Sequence, residues 1–81
     1  MTDLFIDPLA DAAAELERMI EQQRTRCLEL ARRLVPNVTA DDLTQPHDFP
    51  ALLENWHWNY EDGVLAGLLA AQLTLRRVGR K

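Results

Sequence analysis

The sequence contains no serine and only one cysteine, Cys27. A single cysteine excludes an intramolecular disulfide framework, and no cysteine pair is present to begin a zinc site, so a reducing, cytoplasmic compartment is expected. Cys27 lies among apolar positions at helical spacing, where a buried thiol is usually an inert small hydrophobe. His47 and Asp48 are neighbours in the chain, and adjacent residues rarely turn their side chains toward each other. The sequence therefore predicts no enzyme and no catalytic residue.

Glycine and long apolar runs are also scarce. The three glycines, at positions 63, 67 and 79, form no phosphate-binding loop. The longest apolar run, residues 64–75, contains Gln72 and Thr74 and is shorter than the roughly 20 residues that a membrane-spanning helix needs. The first seven residues are acidic where a signal peptide would be basic. We expect neither a membrane partner nor export, and no motif implies a cofactor.

Positive charge is too sparse for a general nucleic-acid-binding protein. The chain has 9 Lys and Arg against 13 Asp and Glu, a net charge of −4. Binding to phosphate backbones requires clustered cations, so no nucleic-acid partner is expected. The last acid is Asp62, and the basic end of the chain, from Arg76 to Lys81, suits the C-terminus of a helix.

The first long helix is predicted over residues 8–35. Asp7 can cap it, Pro8 fits its first position, and Pro36 ends it. Its seam positions alternate in spacings of four and three, the heptad pattern of packed helices. These positions are Leu9, Ala13, Leu16, Ile20, Gln23, Cys27, Leu30 and Leu34. Gln23, the only polar member, either sets the register of packing or faces the edge of the bundle.

Prolines divide the middle of the chain. Residues 36–49 form a connection in which Thr39 to Asp42 could cap one short turn, and Asp48 with Pro50 could start a short helical segment. The second long helix is predicted over residues 60–78, with Asn59 as its cap. The alternative is one helix from Pro50 onward, because apolar spacing persists through the intervening residues.

These elements predict an all-α fold, a helical hairpin forming one domain over residues 1–81. Residues 1–6 would be an N-terminal extension and residues 79–81 a basic tail. A chain this short buries only about 60 to 65% of its unfolded surface, yet 47% of its residues are hydrophobic. Two copies are therefore expected to pair as a homodimer, in a four-helix bundle.

Both tryptophans and the only tyrosine lie within residues 56–60, and such clusters are enriched at protein interfaces. The structural alternative is that Trp56 and Tyr60 cap the hairpin core while Trp58 covers the connection. Gly63, Gly67 and Ala71 form a row of small side chains that another helix could approach. The predicted partner-binding residues are Trp56, Trp58, Tyr60, Val64, Gly67, Leu68, Ala71 and Leu75. They predict a non-catalytic interaction module: an adaptor, small chaperone or assembly subunit.

A metal-binding bundle is the alternative function. Glu54 and His57 match the Glu-x-x-His spacing that places a carboxylate and an imidazole on one helix face in di-iron bundles, and a dimer would supply two copies. The first helix offers no carboxylate in its seam to complete such a site. The leading interpretation, a non-catalytic interaction module, therefore includes no metal-binding residue.

Overall fold

A computed structural model describes residues 7–79. Three α-helices carry the fold: α1 spans Pro8–Leu34, α2 Pro50–Leu53 and α3 Trp56–Gly79. Two single turns of 3-10 helix lie between α1 and α2, at Asp42–Thr44 and Pro46–Asp48. The described residues form no strand, and α1 and α3 pack side by side as an antiparallel hairpin. The predicted all-α hairpin is confirmed.

The start of α1 follows the local rules read from the sequence. The Asp7 carboxylate accepts a hydrogen bond of 3.0 Å from the backbone N–H of Leu9, and Pro8 occupies the first helical position, where no N–H is needed. Arg32 and Arg33 lie in the last turn, where positive charge is favourable. Helix α1 ends at Leu34, one residue before the predicted boundary.

The connection packs tightly although it contains little regular helix. Thr39 and Asp42 exchange side-chain to backbone hydrogen bonds of 2.9 and 3.3 Å, which hold the chain where it enters the first 3-10 turn. The cap position of that turn is Asp41, which makes no side-chain cap hydrogen bond. The Arg32 guanidinium donates to the backbone carbonyl of Val38 at 3.1 Å and ties the connection to the end of α1. Asp48 does not cap α2: it lies within the second 3-10 turn, and Phe49 holds the cap position without a side-chain hydrogen bond.

Helix α3 begins at Trp56, four residues earlier than predicted, because Asn55 and not Asn59 is its cap. The Asn55 side-chain oxygen accepts from the backbone N–H of Trp58 at 2.8 Å. The Asn59 amide instead donates back to the carbonyls of Leu52, Leu53 and Asn55, at 3.3, 2.8 and 2.8 Å. These bonds satisfy carbonyls at the break between α2 and α3. Because the helix is interrupted there, the alternative prediction of a single helix from Pro50 onward is also wrong.

The hydrophobic core lies at one end of the hairpin. Ala31, Val38, Leu52 and Trp58 are buried there, where α1, the connection, α2 and the start of α3 meet. At the other end, where α1 begins and α3 ends, an open cleft of about 290 Å³ lies between the two helices. The molecule measures 54 × 21 × 20 Å, so the core occupies only part of its length.

The antiparallel pairing places side chains of opposite charge around one cleft. Arg76, in the last turn of α3, lines the same cleft as Asp7 and Glu17 of α1. The predicted extension, residues 1–6, and the last two residues of the basic tail lie outside the described part of the chain.

Candidate interaction surface

Helix α3 carries two heptad seams on opposite faces. The inner seam, which packs toward α1, consists of Trp58, Glu61, Leu65, Leu68, Gln72, Leu75 and Gly79. Trp58 and Glu61 are buried, and the next four members are half-buried. Gly79 ends the seam, where a Cβ atom would lie 3.4 Å from a methyl group of Leu9. Alternating spacings of three and four keep these positions on the α1 side along the whole helix.

The outer seam points away from α1. It consists of Trp56, Tyr60, Gly63, Gly67, Ala70, Thr74 and Arg77, and every member is exposed. No charged side chain occurs between Asp62 and Arg76, on either face of the helix. An exposed helix face in a soluble protein normally carries charged and polar residues, so the small, uncharged residues in the middle of the outer seam, from Gly63 to Thr74, are unusual.

The glycines of the outer seam have no packing role among residues 7–79. A Cβ atom added at Gly63 or Gly67 would meet nothing within 4 Å. Glycine destabilises an exposed helix by about 1 kcal/mol relative to alanine. The cost of these two residues is therefore not offset by any contact among the described residues.

The three aromatic residues of the predicted cluster lie on different faces of α3. Trp58 is buried, with 1% of its surface exposed, and its indole N–H has no hydrogen-bond partner in the part of the chain that the structure describes. Trp56 and Tyr60 are 78% and 64% exposed, and the Trp56 ring stacks on His57 at 5.4 Å. The structural alternative, in which Trp56 and Tyr60 cap the core, is wrong, because Trp58 fills the core. Trp58 therefore supplies no surface to a partner in this fold.

The other predicted partner-binding residues also divide between the two faces. Gly67 and Ala71 are exposed on the outer side, whereas Leu68 and Leu75 belong to the inner seam and are half-buried. Val64 is half-buried at the margin between the faces. The outward-facing members, together with Trp56 and Tyr60, are the ones that α3 offers to another molecule.

A buried polar link joins the two long helices. Gln23, 7% exposed, donates from its side-chain amide to both the backbone carbonyl and the Oε1 atom of Glu61, each at 2.8 Å. The Nε2 atom of His57 lies 3.6 Å from the second carboxylate oxygen of Glu61. Of the two roles predicted for Gln23, the edge position is wrong. Glu61 was not predicted, although it is a polar member of a largely apolar seam, as Gln23 is.

Glu54 and His57 do not share a helix face. Helix α2 ends before Glu54 and α3 begins after Asn55, so the Glu-x-x-His spacing is interrupted by a helix break. Among residues 7–79 no group of three or more His, Cys, Asp and Glu side chains is placed to hold a metal ion. The helix break therefore removes the shared helix face on which the metal-binding alternative was based.

Cys27 is buried in α1, as its seam position predicts. Its pKa is raised from 9.0 to about 11, mainly by burial and then by the negative charges of Asp62 and Glu61. The reactive form of cysteine is the thiolate, so this thiol is a poor nucleophile at neutral pH.

Comparison of the chain with known protein families, with curated protein sequences and with solved structures finds no match. None of the helices within residues 7–79 combines the length and hydrophobicity of a membrane-spanning segment. Functional inference therefore rests on the two faces of α3 and on the cavities between the helices.

Proposed function

We propose that this protein is a non-catalytic interaction module that works as a homodimer, in which the outer seams of two α3 helices pack against each other. Because the outer seam lies opposite α1, the four helices would lie in a row, with the two α3 helices at the centre and one α1 on each side, rather than in the four-helix bundle that the sequence predicts. The observation that carries the proposal is the outer seam itself. Its heptad spacing runs from Trp56 to Arg77, parallel to the seam that already packs on α1. Heptad seams are stabilised by packing into the holes of a second helix, and this one has no partner within the described chain.

The chemistry of the outer seam favours a second copy of α3 in antiparallel orientation. A two-fold axis near Gly67 would bring the small central residues of both helices together, where glycine permits close approach. The same axis would place Trp56 of one subunit near Arg77 of the partner subunit, a pairing that suits a cation–π contact. The seam is thus complementary to itself, as the interface of a symmetric dimer must be.

The exposed surface area of the chain is also large enough to supply a dimer interface. The chain exposes 6208 Å², whereas a compact monomer of 9.3 kDa exposes about 5,000 Å². A specific interface of ordinary size removes about 800 Å² from each partner. A two-helix layer can therefore bury a dimer interface and still keep the exposed surface of an ordinary small domain.

Size-exclusion chromatography with light scattering tests the proposal. We expect the unaltered protein to have about twice the chain mass of 9.3 kDa. Ala70→Glu should give a monomer with unchanged helix content, because it places a charge in the outer seam without touching the core. Ala14→Glu, the same exchange at an exposed position of α1, is the matched control and should remain dimeric.

Two results would contradict the proposal. A monomeric unaltered protein at every concentration up to its solubility limit would remove the homodimer. A dimer that survives Ala70→Glu would show that another surface mediates association. Either result would withdraw the outer seam as the interface.

A further inference from the structure

A second feature, independent of the outer seam, is a cavity on the flank of the hairpin. It has a volume of about 100 Å³ and lies between α1, the connection and α3. Leu28, Leu43 and Leu65, one from each of these segments, supply much of its apolar wall, and Cys27 also lines it. Three separate parts of the chain thus enclose one small apolar space.

Two opposite charges line the same cavity without pairing to each other. Asp62 is half-buried, and no hydrogen bond or ion pair joins its carboxylate to another described residue. The Arg24 side chain is 52% exposed, and its one ion pair among the described residues is a long one of 3.8 Å to Glu21. An aspartate and an arginine that line one apolar space without pairing to each other leave room for a molecule that carries both complementary charges.

The direction of the pKa shift of Asp62 agrees with a carboxylate that has no paired cation. Burial raises the pKa of Asp62, which means that its charge is desolvated and lacks a compensating cation. Its charge is also felt inside the cavity, where it contributes, after burial, to the raised pKa of Cys27. A bound ammonium group would supply the missing positive charge.

The volume limits the size of the ligand. A cavity of about 150 Å³ holds one benzene molecule, so about 100 Å³ accommodates a branched side chain of roughly three or four carbons. Larger ligands would collide with the leucine walls, and the charged groups of a ligand would remain at the open side.

We infer that this cavity binds a free α-amino acid with a small branched aliphatic side chain, valine being the best match in size. The side chain packs among the three leucines. The ammonium group pairs with Asp62, and the carboxylate receives hydrogen bonds from the Arg24 guanidinium.

NMR titration of the ¹⁵N-labelled protein tests the inference with three ligands. L-Valine carries both charges, isobutylamine lacks the carboxylate and 3-methylbutanoate lacks the ammonium group. We expect L-valine to shift the amide signals of Cys27, Leu43 and Leu65 in a saturable way, while Gly67, on the outer face, stays unchanged. Each truncated ligand should bind about tenfold more weakly or worse, because a charge-assisted bond is lost.

Variants of Asp62 and Arg24 test which side chain pairs with each charged group of the ligand. Asp62→Asn should weaken L-valine binding about tenfold or more, and Arg24→Gln should do the same. Asp11→Asn, at an exposed position of α1 far from the cavity, is the matched control and should bind as the unaltered protein does. Circular dichroism confirms that each variant is folded.

The inference is overturned if L-valine causes no saturable shift, if Asp62→Asn binds it with unchanged affinity, or if isobutylamine binds as tightly as L-valine. These results concern only the cavity, because the oligomeric state is measured separately through Ala70. Failure here and failure of the dimer can therefore be told apart.

Discussion

Replacing Gln23 with leucine should destabilise the protein, although leucine is the residue that an apolar seam normally favours. The Gln23 amide donates two hydrogen bonds of 2.8 Å to Glu61, one to the backbone carbonyl and one to the carboxylate. Removing the donor leaves a buried carboxylate, 9% exposed as a residue, with only the neighbouring His57 imidazole beside it. A buried acceptor without its partner keeps its full desolvation penalty.

The expected loss of stability in Gln23→Leu follows from the type of hydrogen bond that is removed. A hydrogen bond to a charged group contributes about 1.5 to 3 kcal/mol, and burial of the leucine side chain offsets part of its loss, so we expect a net decrease of about 1 to 2 kcal/mol. The free energy of unfolding for 81 residues is about 4 to 12 kcal/mol. In urea, with a slope of about 1 kcal/mol per molar for a small protein, the midpoint should fall by about 1 to 2 M.

A double-mutant cycle isolates the bond. Gln23→Leu, Glu61→Leu and the double variant are unfolded in urea at one fixed protein concentration, because dimerisation would make stability depend on concentration. The double variant should recover most of the stability lost in Gln23→Leu, since both polar groups are gone. Gln22→Leu, the same exchange at an exposed neighbour, should change stability by less than about 0.5 kcal/mol. A Gln23→Leu variant as stable as the unaltered protein would refute this reasoning.

Three further predictions concern the pKa shifts and the two tryptophans. Because burial, and then the charges on α3, raise the pKa of Cys27 from 9.0 to about 11, the thiol's contribution to stability is present below pH 9. The free energy of unfolding of the unaltered protein should fall by about 2 to 3 kcal/mol between about pH 9 and 11 relative to that of Cys27→Ala. Urea unfolding that gives the two proteins parallel curves of stability against pH would contradict this. Burial also raises the pKa of Asp62, so at pH 7 the Asp62→Asn variant should melt at a higher temperature than the unaltered protein. This difference in melting temperature should disappear as the pH falls, because the native carboxyl becomes protonated. A difference that persists in acid would have another cause. Trp58→Ala should cost about 3 to 5 kcal/mol in urea unfolding, whereas Trp56→Ala, measured at monomeric concentration, should cost less than about 0.5 kcal/mol; equal losses would mean that the assigned burial is wrong.

Local signals in the sequence predicted α1 almost completely. The Asp7-Pro8 start and the stop before Pro36 depend only on neighbouring residues, and the heptad positions identified Cys27 as buried. The short segment at Pro50 was also predicted from a local signal, the proline at its first position, although the expected role of Asp48 in starting it was wrong. Helix caps and prolines act over a few residues, so a single sequence is sufficient to read them.

The start of α3 was predicted wrongly because two asparagines compete as caps. Asn59 is followed by acids and looks like the better N-cap, but its amide is used by the carbonyls around the break between α2 and α3. That choice depends on how α2 packs, which the sequence does not state. The four-residue error also changed the expected role of Trp58, which would cover the connection if the helix began at Tyr60 but enters the core when it begins at Trp56.

The polar features of the candidate sites depend on contacts distant in the sequence. Gln23 and Glu61 are 38 residues apart, and their hydrogen bonds require the exact pairing of the two helices. Asp62 looked like a first-turn acid, but it lines a cavity whose other walls come from α1 and the connection. Periodicity shows which face of a helix is apolar, but not which polar residue of the opposite helix it will meet.

The location of the core at one end of the hairpin implies that backbone protection is uneven. Helices α1 and α3 are held together firmly near Trp58 and Ala31, but near Leu9 and Gly79 they border an open cleft. Local opening in native proteins requires less free energy where few apolar contacts must be broken. Amide hydrogen exchange should therefore become slower along both helices from the cleft toward the connection, so that two antiparallel segments show opposite gradients in residue number.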